Sequence, residues 1–253
     1  MREAGEVRPR PASPADSLQI AGLVPMSTVD WPDRLVATVF CQGCPWNCFY
    51  CHNQALIPTR TPGAVAWAEV RELLERRRGL LDGVVFTGGE ALRQDALADA
   101  AAEARAMGFA VGLHTAGAYP RRLADLVDSG FVDWVGLDIK ALPEHYEAVV
   151  GRPGAGEKAW SCLEALVAAR AAGGPEFEVR TTVVPGDITA DDAVEVAQRV
   201  HDAGARVYAL QQARSEGTSG DFDVVAPGWD AQCERMAERI EALGWDRFTY
   251  RPA

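Results

Sequence analysis

Four of the chain's six cysteines fall within eleven residues, Cys41 to Cys51. The inner three, Cys44, Cys48 and Cys51, are spaced Cys-x3-Cys-x2-Cys. Three thiolates on one short loop can each take one iron of a [4Fe–4S] cube, leaving the fourth iron open to chemistry. Two closed shells compete with that reading. A zinc site normally joins two Cys-x2-Cys elements through a longer loop, and here only three residues separate the two pairs. A ferredoxin-type loop draws its fourth ligand from further away. Both fit worse than the open shell, and four ordinary thiols so close together are improbable by chance. Cys41 ends an apolar run, so it is taken as a small buried neighbour of the site.

A strand–helix repeat must carry this loop. Apolar runs at 35–40, 84–87, 110–114, 134–139, 178–184 and 207–211 alternate with helical-period stretches at 66–77, 95–107, 120–129, 159–172, 190–203 and 229–243. Six such units predict an α/β fold with parallel strands, either an open doubly wound sheet or a partial (β/α)6 barrel. In both, ligands gather at the carboxyl ends of the strands. The polar residues collect there: Gly88-Gly89-Glu90, Thr115 and Gly117, Asp138 and Lys140, Arg180, Gln211 and Gln212.

Residues 1–17 read as a disordered leader and 18–253 as a single domain. The chain has 25 basic and 36 acidic residues, net −11, dispersed along its length. That disfavours nucleic acid as a partner. No apolar run approaches the length of a membrane span. Clustered cysteines without a targeting segment fit a reducing, cytoplasmic setting.

With an aromatic residue, Tyr50, before the last cysteine, the cysteine loop resembles the signature of the radical S-adenosylmethionine superfamily. The resemblance implies a partial barrel, one [4Fe–4S] cluster on Cys44, Cys48 and Cys51, and S-adenosylmethionine chelated at the open iron. Reductive cleavage would then yield a 5′-deoxyadenosyl radical that abstracts hydrogen. Gly88-Gly89-Glu90, separated from Cys51 by 36 residues, is similar to the family's Gly-Gly-Glu element, with Glu90 expected to accept the methionyl ammonium. Ala91 stands where the family often has proline. Tyr50, Gly88, Gly89, Thr115, Asp138, Lys140 and Arg180 are the other expected cofactor contacts, with Lys140 meeting the methionyl carboxylate.

The flanking residues resemble one branch, the glycyl-radical-enzyme activases. Thr28-Val29-Asp30-Trp31-Pro32-Asp33 is similar to their Thr-Val-Asp-x-Pro-Gly, with Asp33 in place of glycine, and Cys51-His52-Asn53 to their Cys-His-Asn. Chain length and residues 77–83 further resemble the activating proteins of anaerobic ribonucleoside-triphosphate reductase. The resemblance implies a glycyl radical enzyme as partner, contacted through Asp30, and a low-potential electron donor such as flavodoxin or ferredoxin. Activases often read Asp-Thr-Asn-Gly where this chain has His114-Thr115-Ala116-Gly117, so a monovalent-cation site needing that Asp is not implied.

Alternatives are activation of another such enzyme, for example pyruvate formate-lyase, a small-molecule radical substrate, or a non-enzymatic iron–sulfur or zinc protein. Simpler roles also stand beside the single residues. Asp138 and Lys140 could be only an ion pair, Arg180 could pair with Glu178, and His52 could cap the loop through a backbone contact. His114, Cys162 and Cys233 could be packed. Trp31 and Trp46 could shield the cluster.

Overall fold

The computed structural model describes residues 13–214, 218 and 226–253. Among these residues eight strands form one sheet in simple sequence order. They are β1 (Ile20–Ser27), β2 (Val36–Cys41), β3 (Gly83–Gly88), β4 (Ala110–Thr115), β5 (Trp134–Asp138), β6 (Glu176–Val183), β7 (Val207–Gln212) and β8 (Arg247–Arg251). From β2 to β8 every pairing is parallel. Helices follow β2 to β7: α1 (Trp67–Arg76), α2 (Leu97–Ala106), α3 (Pro120–Asp128), α4 (Tyr146–Val150), α5 (Ala155–Ala171), α6 (Ile188–Asp191), α7 (Ala193–Asp202) and α8 (Trp229–Glu241). This is the expected partial barrel of six βα units, with one strand added at each end.

The first added strand departs from the all-parallel expectation. β1 runs antiparallel to β2, with register shifts at both ends of the pairing. Gly22 and Pro25 interrupt its apolar run, which hides it from a pattern search, and Pro25 is tolerated because β1 is an edge strand. β8 is short and alternates polar with aromatic residues.

The leader boundary is also corrected. Residues 1–12 lie outside the described residues, but Pro14–Ser17 forms a 3-10 turn capped by Ser13. Ala15 is fully buried there. Asp16 pairs with Arg71 of α1 at 2.7 Å, and Ser13 bonds Glu103 of α2. Glu103 also accepts from Trp67 Nε1 at 2.9 Å. A polar, proline-rich segment can be ordered when its few small apolar groups dock and its charges find partners.

The core lies between the outer face of the sheet and the helices, as Ala37, Val39, Cys41, Val84, Phe86, Val111 and Val135 of the strands meet Val70, Leu74, Ala100, Leu123 and Leu163 of the helices. Burying each large side chain contributes about 1.5–3 kcal/mol relative to exposure. The alternate residues face the barrel lumen, and the parallel register aligns their ends. Cys41 stands beside Gly88, Asp138 beside Arg180, and Thr182 beside Gln211.

Candidate functional site

The carboxyl ends of the strands surround a cavity of about 600 Å³. Its lining includes Asp30, Cys44, Cys48, Tyr50, Cys51, Gly88, Gly89, Thr115, Asp138, Lys140 and Arg180. All but one of the residues expected to meet cluster, cofactor or substrate therefore line one cavity. The exception is Glu90, which is 1% exposed and lies behind its wall.

The cysteine loop leaves β2 and is held against β3 by close backbone contact. Gly89 N donates to Cys41 O at 2.9 Å, and Glu90 N to Gly43 O at 3.0 Å. A Cβ on Gly88 would stand 2.3 Å from the Cys41 backbone, and one on Gly89 would stand 2.5 Å from Gly43 O. Gly88 also has φ 117°, so no larger residue fits this junction. The glycine pair thus anchors the loop that presents the thiols.

Cys44, Cys48 and Cys51 reach the cavity, whereas Cys41 is fully buried beneath it. Burial pushes the Cys44 thiol up to about 12, assisted by the Glu90 charge. Burial likewise raises Cys48, which the Lys140 ammonium partly offsets. Such thiols ionise readily only with a metal to receive the thiolate. Among the described residues no group of three His, Cys, Asp or Glu side chains is arranged to hold a single metal ion. Three thiols on one loop suit a multinuclear group in which each binds a different iron. Cys162 and Cys233 are buried in the helices; the Cys162 thiol donates to Gly117 O at 3.4 Å.

Opposite the loop lies a cluster of buried charges. Asp138 accepts from Arg180 Nε at 2.9 Å and from Lys140 Nζ at 3.4 Å. Burial would raise the Asp138 carboxyl, but Arg180, then Lys140 and His114, hold it down to about 2. Arg180 also donates to Gly136 O at 3.2 Å; a Cβ on Gly136 would stand 2.8 Å from the guanidinium carbon. Arg180 therefore pairs with Asp138 and not with Glu178, which instead takes both contacts from Arg251, at 2.8 and 2.9 Å. The Lys140 ammonium sits 5.5 Å from the Tyr50 ring centroid, a cation–π distance. Among the described residues Tyr50 Oη is buried without a hydrogen-bond partner.

Glu90 accepts from Thr115 Oγ1 at 2.9 Å, Ala116 N at 3.0 Å and Leu92 N at 3.1 Å. Burial raises its carboxyl to about 7 against these three donors. His114 Nε2 lies 2.6 Å from Asp30 O, and Asp30 Oδ2 accepts from Thr38 Oγ1 at 2.6 Å. Burial, with Arg180 nearby, lowers His114 to about 3, so it is a neutral ring. His52 reaches across the mouth, where its Nε2 accepts from Arg214 N at 3.4 Å.

Trp46 lines the cavity, but Trp31 does not. It stacks on Trp134 with centroids 5.5 Å apart and faces the opposite mouth. Thr182 and Arg251 also line the cavity and were missed. Arg251 lies on the unrecognised β8; Thr182 offers no signal beyond its two-residue spacing from Arg180.

The model of the Radical SAM superfamily matches residues 38–200, from β2 through most of α7. The chain belongs to the radical SAM superfamily. It is an enzyme of radical chemistry whose cofactors are a [4Fe–4S] cluster and S-adenosylmethionine, and the three thiols on an open loop fit that cluster. A Methanocaldococcus jannaschii protein with the provisional name glycyl-radical enzyme activating enzyme is 30% identical over 195 residues, covering 76% of this chain and 79% of its own. Among solved structures, Streptococcus suis SuiB bound to the precursor peptide SuiA has a TM-score of 0.63 at 10% identity over 85% of this chain. This chain spans 48% of SuiB. Escherichia coli QueE has a TM-score of 0.51 at 16% identity, covering 91% of this chain and 92% of its own. These two likenesses concern the fold alone. No helix among the described residues is long and apolar enough to cross a membrane.

Proposed function

We propose that this radical SAM enzyme is a glycyl-radical-enzyme activase acting on anaerobic ribonucleoside-triphosphate reductase, with a low-potential donor such as flavodoxin or ferredoxin as its reductant. The observation that carries the reading is the position of Asp30. The segment that resembles activases most closely brings Asp30 into the same cavity as the three thiols. The 30% identity to a relative of that provisional name supports the same branch.

In this reading Cys44, Cys48 and Cys51 hold the cluster, and S-adenosylmethionine lies against Tyr50, Gly88, Gly89, Thr115, Asp138, Lys140 and Arg180. When bound, the two groups supply an oxidising carbon radical able to take hydrogen from a glycine Cα. The chain supplies position and charge. Lys140 has three N–H donors and spends one on Asp138, which leaves donors for a ligand carboxylate. Asp138 and Arg180 brace each other, so the Lys140 ammonium is held from below. Glu90 orders Thr115 and the backbone at Ala116, both of which line the cavity. His114 fixes the Asp30 backbone at the cavity wall, where Asp30 would meet the incoming peptide. Phe40 and Trp46 provide apolar wall that keeps water from the reacting carbon.

The test is anaerobic reconstitution with iron and sulfide, reduction, and addition of S-adenosylmethionine. The expected product is 5′-deoxyadenosine, and adding the reductase should produce a glycyl doublet in the electron paramagnetic resonance spectrum. Without 5′-deoxyadenosine the assigned site fails. A product without the doublet would refute the reductase as target.

A further inference from the structure

Only four large apolar side chains stand well exposed among the described residues, namely Val24, Met26, Val29 and Leu80. Three of them fall within six positions, on β1 and the turn after it. β1 is an end strand of the sheet. β2 covers one edge, and a single bridge at Ile20 touches the other. From Gly22 onward that outer edge has no strand partner among the described residues.

Register decides which way the strand faces. Gly22 pairs with Phe40 and Val24 with Thr38, and directly opposed residues share a face. Phe40 lines the cavity, and Thr38 donates to Asp30. The Gly22–Val24 face of β1 therefore looks into the lumen, while Ala37 and Val39 turn into the core under the helices. Val29, 81% exposed, carries the strip on to the cavity wall. A Cβ built on Gly22 meets nothing within 4 Å, so the space before the strand is open. A side groove bounded by Gly22 and Leu56 shares Phe40, His52 and Asn53 with the main cavity.

We propose that this strip, Gly22, Val24 and Val29, receives an extended polypeptide segment of the macromolecular substrate, flanking the glycine that is brought to the cavity. The inference rests on the activase reading. A Cα inside a large enzyme needs a lateral entrance, because both chain directions must continue outside the site. The unpaired ends β1 and β8 bound that side of the sheet, and the strip runs from the β1 end to Asp30. Its chemistry is apolar and uncharged, suited to a backbone carrying small or apolar side chains. Pro25 and the register shifts beside it keep the same edge from pairing with other copies of the chain. An exposed apolar patch that continues into a catalytic cavity is a recognition surface.

Gly22→Trp and Val24→Arg test this in the reconstituted holoenzyme. Both positions lie outside the cofactor contacts, and neither change fills buried space. The expected result is unchanged iron content and unchanged partner-free 5′-deoxyadenosine formation, with the glycyl doublet on full-length anaerobic ribonucleoside-triphosphate reductase reduced roughly tenfold or more. Leu80→Arg, the same kind of change away from the strip, should leave the doublet unchanged. A full doublet with both strip variants overturns the docking surface and leaves the activase reading intact. An equal loss with Leu80→Arg also overturns it, since the effect is then not local. A wild-type enzyme that makes 5′-deoxyadenosine without a doublet overturns the activase reading on this partner, and this inference with it.

Discussion

Asp138–Arg180 and Asp33–Arg247 are both aspartate–arginine pairs, and they face opposite mouths of one barrel. Their lengths are alike, 2.9 and 2.5 Å. Their surroundings are not: the side chains of the first are 34% and 10% exposed, and those of the second 77% and 47%. At the upper mouth Arg180 and Lys140 are buried, so their charges depend on the carboxylate between them. At the lower mouth solvent screens the pair, and its geometry is worth little. Asp33 moreover has φ 63°, a conformation that glycine reaches without strain. The comparison teaches that a short contact is informative only after its desolvation is known, because burial turns a charge pair into a constraint.

The largest expected effect comes from removing the thiols around which the upper mouth is built. Cys44→Ser, Cys48→Ser or Cys51→Ser should abolish cluster reconstitution and 5′-deoxyadenosine formation, whereas Cys41→Ser should retain the cluster. Iron and sulfide analysis with product chromatography checks both. Next, Asp138→Asn leaves Arg180 and Lys140 without their carboxylate and should cost about 1–3 kcal/mol in a denaturant titration. A double-mutant cycle with Arg180→Met should show clear coupling there, and the matching cycle at Asp33 and Arg247 none. Equal coupling at both mouths would break the comparison.

A pH series gives a smaller, signed effect. Glu90 moves from 4.5 up to about 7 on folding. Between those values the unfolded chain releases its proton first, so stability falls as pH rises through the window and is level above it. Asp138 has the opposite sign, since its carboxyl moves from 3.8 down to about 2. Its contribution is full above 3.8 and is lost as pH falls toward 2. Glu90→Gln should therefore flatten the melting temperature of the cluster-free chain between pH 4.5 and 7 without changing its slope at lower pH. The smallest effect is that of Asp33→Gly: exchange of an exposed ion pair for relief of a left-handed backbone should leave the unfolding midpoint essentially unchanged.

The six inner strands were legible because strands covered on both faces read as unbroken apolar runs. The end strands were not, since an edge strand meets solvent on one side and carries no such run: Pro25 breaks β1, and polar residues alternate with aromatic ones in β8. The cysteine loop, Gly88-Gly89 and the strand-end residues were legible as a set, because parallel βα units bring all their carboxyl ends to one side. Their pairings were not. Arg180 has Glu178 two residues away in the chain, yet bonds Asp138, which the β5–β6 register sets directly beside it. Trp31 adjoins Asp30 in the chain, but the two face different cavities.

The amino-acid sequence alone determined that three thiols stand at a fixed spacing on one loop, and the repeat that aligns the strand ends with it. Both depend on neighbours in the chain, where spacing is geometry. Tertiary structure alone decided that Glu90 lies behind Thr115, that Arg180 serves Asp138, and that an apolar strip on β1 leads from outside the sheet to Asp30. These depend on register and burial, which arise only when distant segments exclude water together.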